Sequence, residues 1–236
     1  MISAQEYQAR RERLLSATPL NSVIIVSAAN EVTRSRDTEY HFRQNSDFFY
    51  LSGFTEPDAF LVLFNRQASA SKNSADNHSS SENIKSSQFP IRSAIFVREK
   101  DPQAETWHGR RLGVDAAPEK LSIDMAYGLS DINELLPELI DGAAALYYSL
   151  GDNQRSDKIV QAAIAVCKYA PKQSKIAPSS IVDVSELIHK MRLIKSPAEL
   201  ELMQASANIA CEAHKRAMQT CRPGAYEYQL EAHILH

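Results

Sequence analysis

The residues of this chain that could do chemistry are few, and their spacing argues against most reactions. Glu231, His233 and His236 lie within one short stretch. A zinc-binding helix needs two histidines four residues apart, with the general base directly after the first, so that ligands and base share one face. Glu231-Ala232-His233-Ile234-Leu235-His236 has neither that spacing nor that order, and these histidines read as ordinary members of an amphipathic helix. His214, on or near an apolar stripe, reads as a packing residue. Asp37 and Asp47 could be paired as general acid and base, but Arg34, Arg36 and Arg43 favour structural ion pairs instead. There is no Gly-x-Ser-x-Gly elbow and no glycine-rich phosphate loop. Cys167, Cys211 and Cys221 are odd in number and widely spaced among helical residues, which predicts buried thiols rather than a disulfide frame or a cysteine metal site.

Two stretches stand out instead. Tyr40-His41-Phe42-Arg43-Gln44-Asn45-Ser46-Asp47-Phe48-Phe49-Tyr50-Leu51-Ser52-Gly53-Phe54 is dense in aromatic groups in a chain that is only 8% aromatic. Rings bury large areas, so the amides and charges among them must find partners, and the block reads as a polar knot wrapped in rings. The charged loop 31–39 leads into it and, taken in isolation, reads as solvated. The second stretch is Glu105-Thr106-Trp107-His108-Gly109-Arg110-Arg111-Leu112-Gly113, where the single tryptophan sits in a charged, glycine-flanked context. Trp107 is a candidate contact residue; a tryptophan packed within its own domain is the competing reading, and the sequence leaves both open. Arg110 and Arg111 belong to the same surface or face solvent.

The elements that position these stretches follow from patterning. Ser3-Ala4-Gln5-Glu6 has the form of a capping box opening a helix to about Leu15, with its arginines on the solvent side. Ser22–Ser27 and Ala59–Phe64 are β-branched or apolar runs typical of strands covered on both faces, the first of them central in its sheet. Ser93–Val97 is the hairpin partner of residues 60–64. Residues 67–89, dominated by Ser, Asn, Lys and Ala, cannot bury enough apolar surface to offset their ordering entropy and read as a disordered insertion. Helices are expected at 116–125, opened by Pro118, at 130–140 with Ser130 as cap, at 157–169 and at 182–193; a strand is expected at 143–148. Ser196-Pro197-Ala198-Glu199 is a strong helix start. The long helix it opens carries Leu200, Met203, Ala207, Ala210, Cys211, His214, Ala217 and Met218 at helical spacing, and a further helix begins near Tyr226. That last periodicity meets no stop signal, so the chain reads as a segment of a longer one.

Alternating strands and helices imply an α/β domain, a mixed sheet flanked by helices, over residues 1–175. Residues 176–236 read as a linker followed by further helices. The wording Arg43-Gln44-Asn45-Ser46-Asp47-Phe48-x-Tyr50-Leu51-Ser52-Gly53 closely resembles the signature of the amino-terminal domain of Xaa-Pro aminopeptidases (aminopeptidase P), and more loosely that of prolidases and creatinases. Ile188 to Glu199 resembles the hinge by which that family enters its pita-bread catalytic domain.

The resemblance implies the amino-terminal, non-catalytic domain plus the incomplete start of the catalytic domain of a metallopeptidase that removes the residue preceding proline at peptide amino termini. It implies a parent enzyme holding two divalent metal ions, usually manganese, through two Asp, one His and two Glu that lie downstream of the region matching residues 224–236. No catalytic residue and no metal ligand is therefore expected in this chain. The resemblance also places Trp107 at the rim of a neighbouring subunit's active site in a homotetramer. The alternatives are a binding and assembly module that lacks the metal site, or, as in creatinase, the same fold with different chemistry.

Bulk properties narrow the partners. A chain of 236 residues, 44% hydrophobic and 23% charged, with a net charge of -3, has the balance of a soluble globular protein. It shows no basic footprint for nucleic acid. No apolar run reaches the roughly 20 residues that cross a bilayer, and the polar opening Met1-Ile2-Ser3-Ala4-Gln5-Glu6 predicts a cytoplasmic address without membrane partners.

Overall fold

The computed structural model describes residues 2–66, 91–169 and 175–236, so the expected insertion at 67–89 lies outside the described residues. Two compact units emerge, one formed by Ser3–Met191 and the other centred on Arg192–His236.

The first unit is built on a six-stranded sheet of β1 (Ser22–Ser27), β4 (Phe60–Asn65), β5 (Ser93–Val97), β6 (Met125–Gly128), β7 (Ala145–Tyr147) and β8 (Ser180–Val182), in the order β6-β5-β4-β1-β7-β8. A separate two-stranded ribbon, β2 (Thr33–Ser35) with β3 (Thr38–Glu39), carries the loop before the aromatic block. β1 lies in the middle, antiparallel to β4 with Ile25 opposite Val62 and parallel to β7. β4 and β5 pair antiparallel, whereas β5 with β6 and β7 with β8 are parallel, so the sheet is mixed. Because side chains alternate across a strand, Ile24, Leu61, Leu63 and Ile95 face one layer of helices while Val23, Ile25, Val62 and Phe96 face the other. The first layer comprises α1 (Ala4–Ser16), α2 (Ser46–Ser52), α4 (Gly113–Leu121) and α7 (Ser185–Leu193); the second comprises α5 (Ile132–Ile140) and α6 (Gln154–Tyr169). α3 (Pro102–His108) stands apart from both, with no buried residue.

Several expectations need correction. The arginines of α1 do not all face solvent: Arg10 and Arg11 are only 3% and 2% exposed, because the last turn of α2 presents carbonyls that a guanidinium can satisfy indoors. α4 begins at Gly113 with Pro118 inside it, and Met125 belongs to a strand, since parallel pairing with Ala94 outweighs helical propensity there. Ser130 does not cap α5; a 3₁₀ turn precedes that helix, and the Ser130 hydroxyl donates to Glu99 instead. Val182 ends β8 rather than starting a helix, and α7 begins at Ser185. The sheet unit therefore extends to Met191, beyond the boundary expected at 175, because β8 hydrogen-bonds to β7 and Ile188 enters the core. Of the cysteines only Cys167 is buried; Cys211 and Cys221 are exposed.

In the second unit, Ser196 opens α8 (Pro197–Thr220) through a full capping box: its hydroxyl accepts the Glu199 amide at 3.2 Å, and the Glu199 carboxylate accepts the Ser196 amide at 2.9 Å. α9 (Glu227–Leu235) packs back on α8. Leu200, Met203 and Met218 of the expected apolar stripe are exposed. No helix among the described residues is long and apolar enough to cross a membrane.

Candidate functional site

The aromatic block folds as a knot around Gln44. Its side-chain oxygen accepts the amides of Ala29 and Asn45, each at 2.8 Å, while its nitrogen donates to the carbonyls of Phe54 at 3.3 Å and Glu56 at 2.7 Å. Asn45 then caps α2, accepting the amides of Asp47 at 2.9 Å and Phe48 at 3.0 Å. Gly53 ends that helix at φ +66°, a left-handed conformation that glycine adopts without a Cβ penalty. Phe48 and Phe54 meet edge to face on the buried side, and Tyr7 of α1 meets Phe49 in the same way. Asp47 lies 3.0 Å from His189 of α7, so it ties two elements of the unit together. Asp37 sits apart, in the exposed turn between β2 and β3. The polar groups of the knot thus serve structure.

Chemistry is equally scarce elsewhere. A surface pocket of about 200 Å³ is lined by Asn30, Asp58, Phe60, Ser130, Arg155 and Ile159, among others. Its one carboxylate, Asp58, accepts from Asn30 at 2.5 Å and from Arg155 at 3.1 Å, so its charge is already matched. His214, His233 and His236 are exposed. Among the described residues no group of three or more His, Cys, Asp or Glu is placed to hold a metal ion.

Trp107 is among the large rings left uncovered, with Tyr169, Tyr226 and Tyr228. It is 82% exposed, so it does not pack within its own domain. It rides on α3, whose start is fixed by Asp101 accepting the amides of Gln103 at 3.0 Å and Ala104 at 3.1 Å, with Pro102 in the first turn. Gly109, at φ +84°, ends the helix by donating its amide to the Glu105 carbonyl at 3.1 Å. His108 and Arg110 flank the indole in solvent.

The two stems of this excursion are clasped at their base. Arg111 turns back to donate to the Glu99 carbonyl at 2.9 Å. Glu56 accepts the Leu112 amide at 2.7 Å with one carboxylate oxygen and faces Arg98 at 3.9 Å with the other, and Arg98 also faces Glu31 at 3.7 Å. Glu99 in turn accepts from the amide and the hydroxyl of Ser130. The Ser130 hydroxyl is the chief cause that holds the Glu99 carboxyl below the usual carboxylate range, against a smaller opposing effect of burial. Arg110 and Arg111 therefore part company, one in solvent and one in the clasp. The sequence marked Trp107 but missed Glu56, Arg98 and Glu99, since Glu56-Pro57-Asp58 carries the composition of a plain turn and the charges after β5 that of a solvated strand end.

Comparison with known proteins agrees with this architecture. Residues 7–147 match the family described as "Aminopeptidase P, N-terminal domain". The chain is 42% identical to the Xaa-Pro aminopeptidase of Escherichia coli over 235 residues, which is 100% of this chain and 49% of that protein. It is 35% identical to the Xaa-Pro aminopeptidase of Haemophilus influenzae over 98% of this chain and 46% of the relative. It thus spans about half the length of the curated relatives it matches. The low-pH form of aminopeptidase P from E. coli superposes with a TM-score of 0.86 at 41% identity, over 99% of this chain and 49% of the other. A zinc-substituted E. coli aminopeptidase P in complex with product also gives 0.86 at 41% identity, over 100% and 49%. With a mixed sheet between helical layers, the Gln44 knot and a family match covering more than half its residues, the chain belongs to the aminopeptidase P amino-terminal domain family.

Proposed function

We propose that this chain is the amino-terminal, non-catalytic part of a metal-dependent Xaa-Pro aminopeptidase, and that its own contribution is a contact surface at Trp107 rather than chemistry. In this reading Trp107 lies at the rim of a neighbouring subunit's active site in a cytoplasmic homo-oligomer. The parent enzyme releases the residue preceding proline from peptide amino termini. The observation that carries the proposal is Trp107 itself, fully presented on a helix that is capped at both ends and clasped at its base. An indole left in water forgoes a large hydrophobic gain, and tryptophan is enriched where a partner supplies the cover.

The pair of divalent ions, manganese by resemblance, does not fit the residues described here, since no cluster of ligating side chains exists among them. When bound, such ions supply Lewis-acid activation of water and of the scissile carbonyl. The described residues of this chain do something else: they present an aromatic face against which an apolar peptide terminus or a neighbouring subunit can pack, and they hold it in a fixed place.

Light scattering of the wild type and of Trp107→Ala tests the proposal. The expected result is an assembly in the wild type that loses mass or stability in the variant. A monomeric wild type, or equal assembly in both, would contradict it.

A further inference from the structure

We infer that Glu56 is the positioning residue of the Trp107 excursion, coupling it to the Gln44 knot; the functional weight of this inference rests on the reading of Trp107 as a contact surface. Residues 98–112 leave the sheet after β5 and return at the start of α4, and α3 between them contains no buried residue. Apart from Leu112, which packs partly buried against the core, the segment draws no hydrophobic anchorage from the described core clusters, so its placement depends chiefly on the polar contacts at its two stems.

Arg111 joins the stems directly, and Glu56 touches both from outside the segment. One oxygen holds the Leu112 amide at 2.7 Å on the returning stem, and the other faces Arg98 at 3.9 Å on the outgoing stem. The carboxylate is itself held in place, because Gln44 donates to the Glu56 carbonyl at 2.7 Å and Pro57 beside it is buried. Both charged partners are largely shielded, with side chains 17% exposed for Glu56 and 16% for Arg98, so the attraction is screened less than at a free surface. The clasp is also incompletely hydrogen-bonded: Glu56 Oε2, Arg98 Nε, Arg111 Nε and Glu105 Oε1 are buried and make no hydrogen bond among the described residues. Few contacts therefore carry the segment, and the Glu56–Leu112 bond spans the gap between its return and the knot. Glu56 acts on Trp107 through this frame and does not touch it.

Because Trp107 is the only tryptophan, its local motion can be read without labelling. The experiment measures Leu112 amide exchange and the wobble component of Trp107 time-resolved anisotropy in wild type, Glu56→Ala and Glu56→Gln. In Glu56→Ala, Leu112 exchange should rise about tenfold and the wobble widen, while the Ile24 amide in β1 stays protected. Glu56→Gln keeps an acceptor for Leu112 but loses the charge facing Arg98. It should retain Leu112 protection and show an intermediate wobble, which decides the matter should the alanine variant not fold. Equal wobble in wild type and Glu56→Gln, or unchanged Leu112 exchange in a folded Glu56→Ala, would overturn the inference. The two ideas fail separately: unchanged assembly of Trp107→Ala removes the contact reading and leaves the Glu56 measurements standing.

Discussion

Arg11 reaches out of α1 to donate to the carbonyl of Leu51 at 2.9 Å, in the last turn of α2. The same guanidinium donates to the carbonyls of Leu121 at 3.1 Å and of Ser122, at the end of α4. One buried side chain thus closes the carboxyl ends of two helices, which present carbonyls without intrahelical partners. Burial lowers its pKa to about 10, with Asp124 and Glu12 opposing that effect. Arg11→Ala strands three acceptors and should cost about 3 kcal/mol. Urea unfolding at unchanged m-value measures this. Arg11→Lys should recover only part, because the single ammonium nitrogen cannot span the acceptors that Nη1 and Nη2 of the planar guanidinium reach together. An unaltered midpoint in the alanine variant would show these bonds to be incidental.

Gly53 illustrates a second constraint. Its φ of +66° disfavours any Cβ, and a Cβ placed there would stand 2.5 Å from the Tyr7 ring. Gly53→Ala should therefore destabilise the unit by about 2 kcal/mol or more, the sum of backbone strain and a clash with the Tyr7 ring. In a double-mutant cycle with Tyr7→Ala the clash disappears and only the backbone part remains. Strict additivity of the two substitutions would refute the steric half of this account.

How much of this was readable beforehand depends on where the determining force lies. β1, β4 and β5 announced themselves because strands buried on both faces are written in continuous apolar residues, whereas β7, ambiguous in composition, was legible through its length and the bracketing Gly142 and Gly151. β6 and β8 did not, since they are short edge strands with half-buried or exposed residues, and pairing with a neighbour defines them. Arg10 and Arg11 misled because their burial is set by carbonyls from the region around Tyr50 and Leu51, far along the chain. The knot was legible as a cluster of rings and amides, but Gln44 as its hub was not. At the candidate site Trp107 stood out by type, whereas Glu56 acquires meaning only when Leu112 and Arg98 meet across it.

The Glu99 carboxyl offers a pH test. It is held below the usual carboxylate range in the folded chain, chiefly because the Ser130 hydroxyl bonds the ionised form. A depressed acid contributes stability that is full above the unfolded value and is lost as pH falls through the folded one. In an NMR titration the Glu99 carboxyl carbon should therefore titrate below the usual carboxylate range in wild type. Ser130→Ala should move that midpoint upward. An identical midpoint in both proteins would assign the depression to something other than the hydroxyl.

Ser196 governs the second unit locally. Ser196→Ala removes the acceptor for the Glu199 amide and half of the capping box, at a cost of about 1 kcal/mol. The effect should surface as faster Glu199 amide exchange, with amides of the sheet unit unaffected. Equal exchange at Glu199 would mean that the box contributes nothing to the start of α8.

The central claim is that the described residues of this chain build a framework and a contact surface without supplying proteolytic chemistry. Its most direct test incubates the chain with a short peptide carrying proline in second place, in the presence of manganese, and measures the free amino-terminal residue. The account predicts release no faster than in the metal-only control at every chain concentration. Release that rises in proportion to the chain and is stopped by a chelator would contradict it.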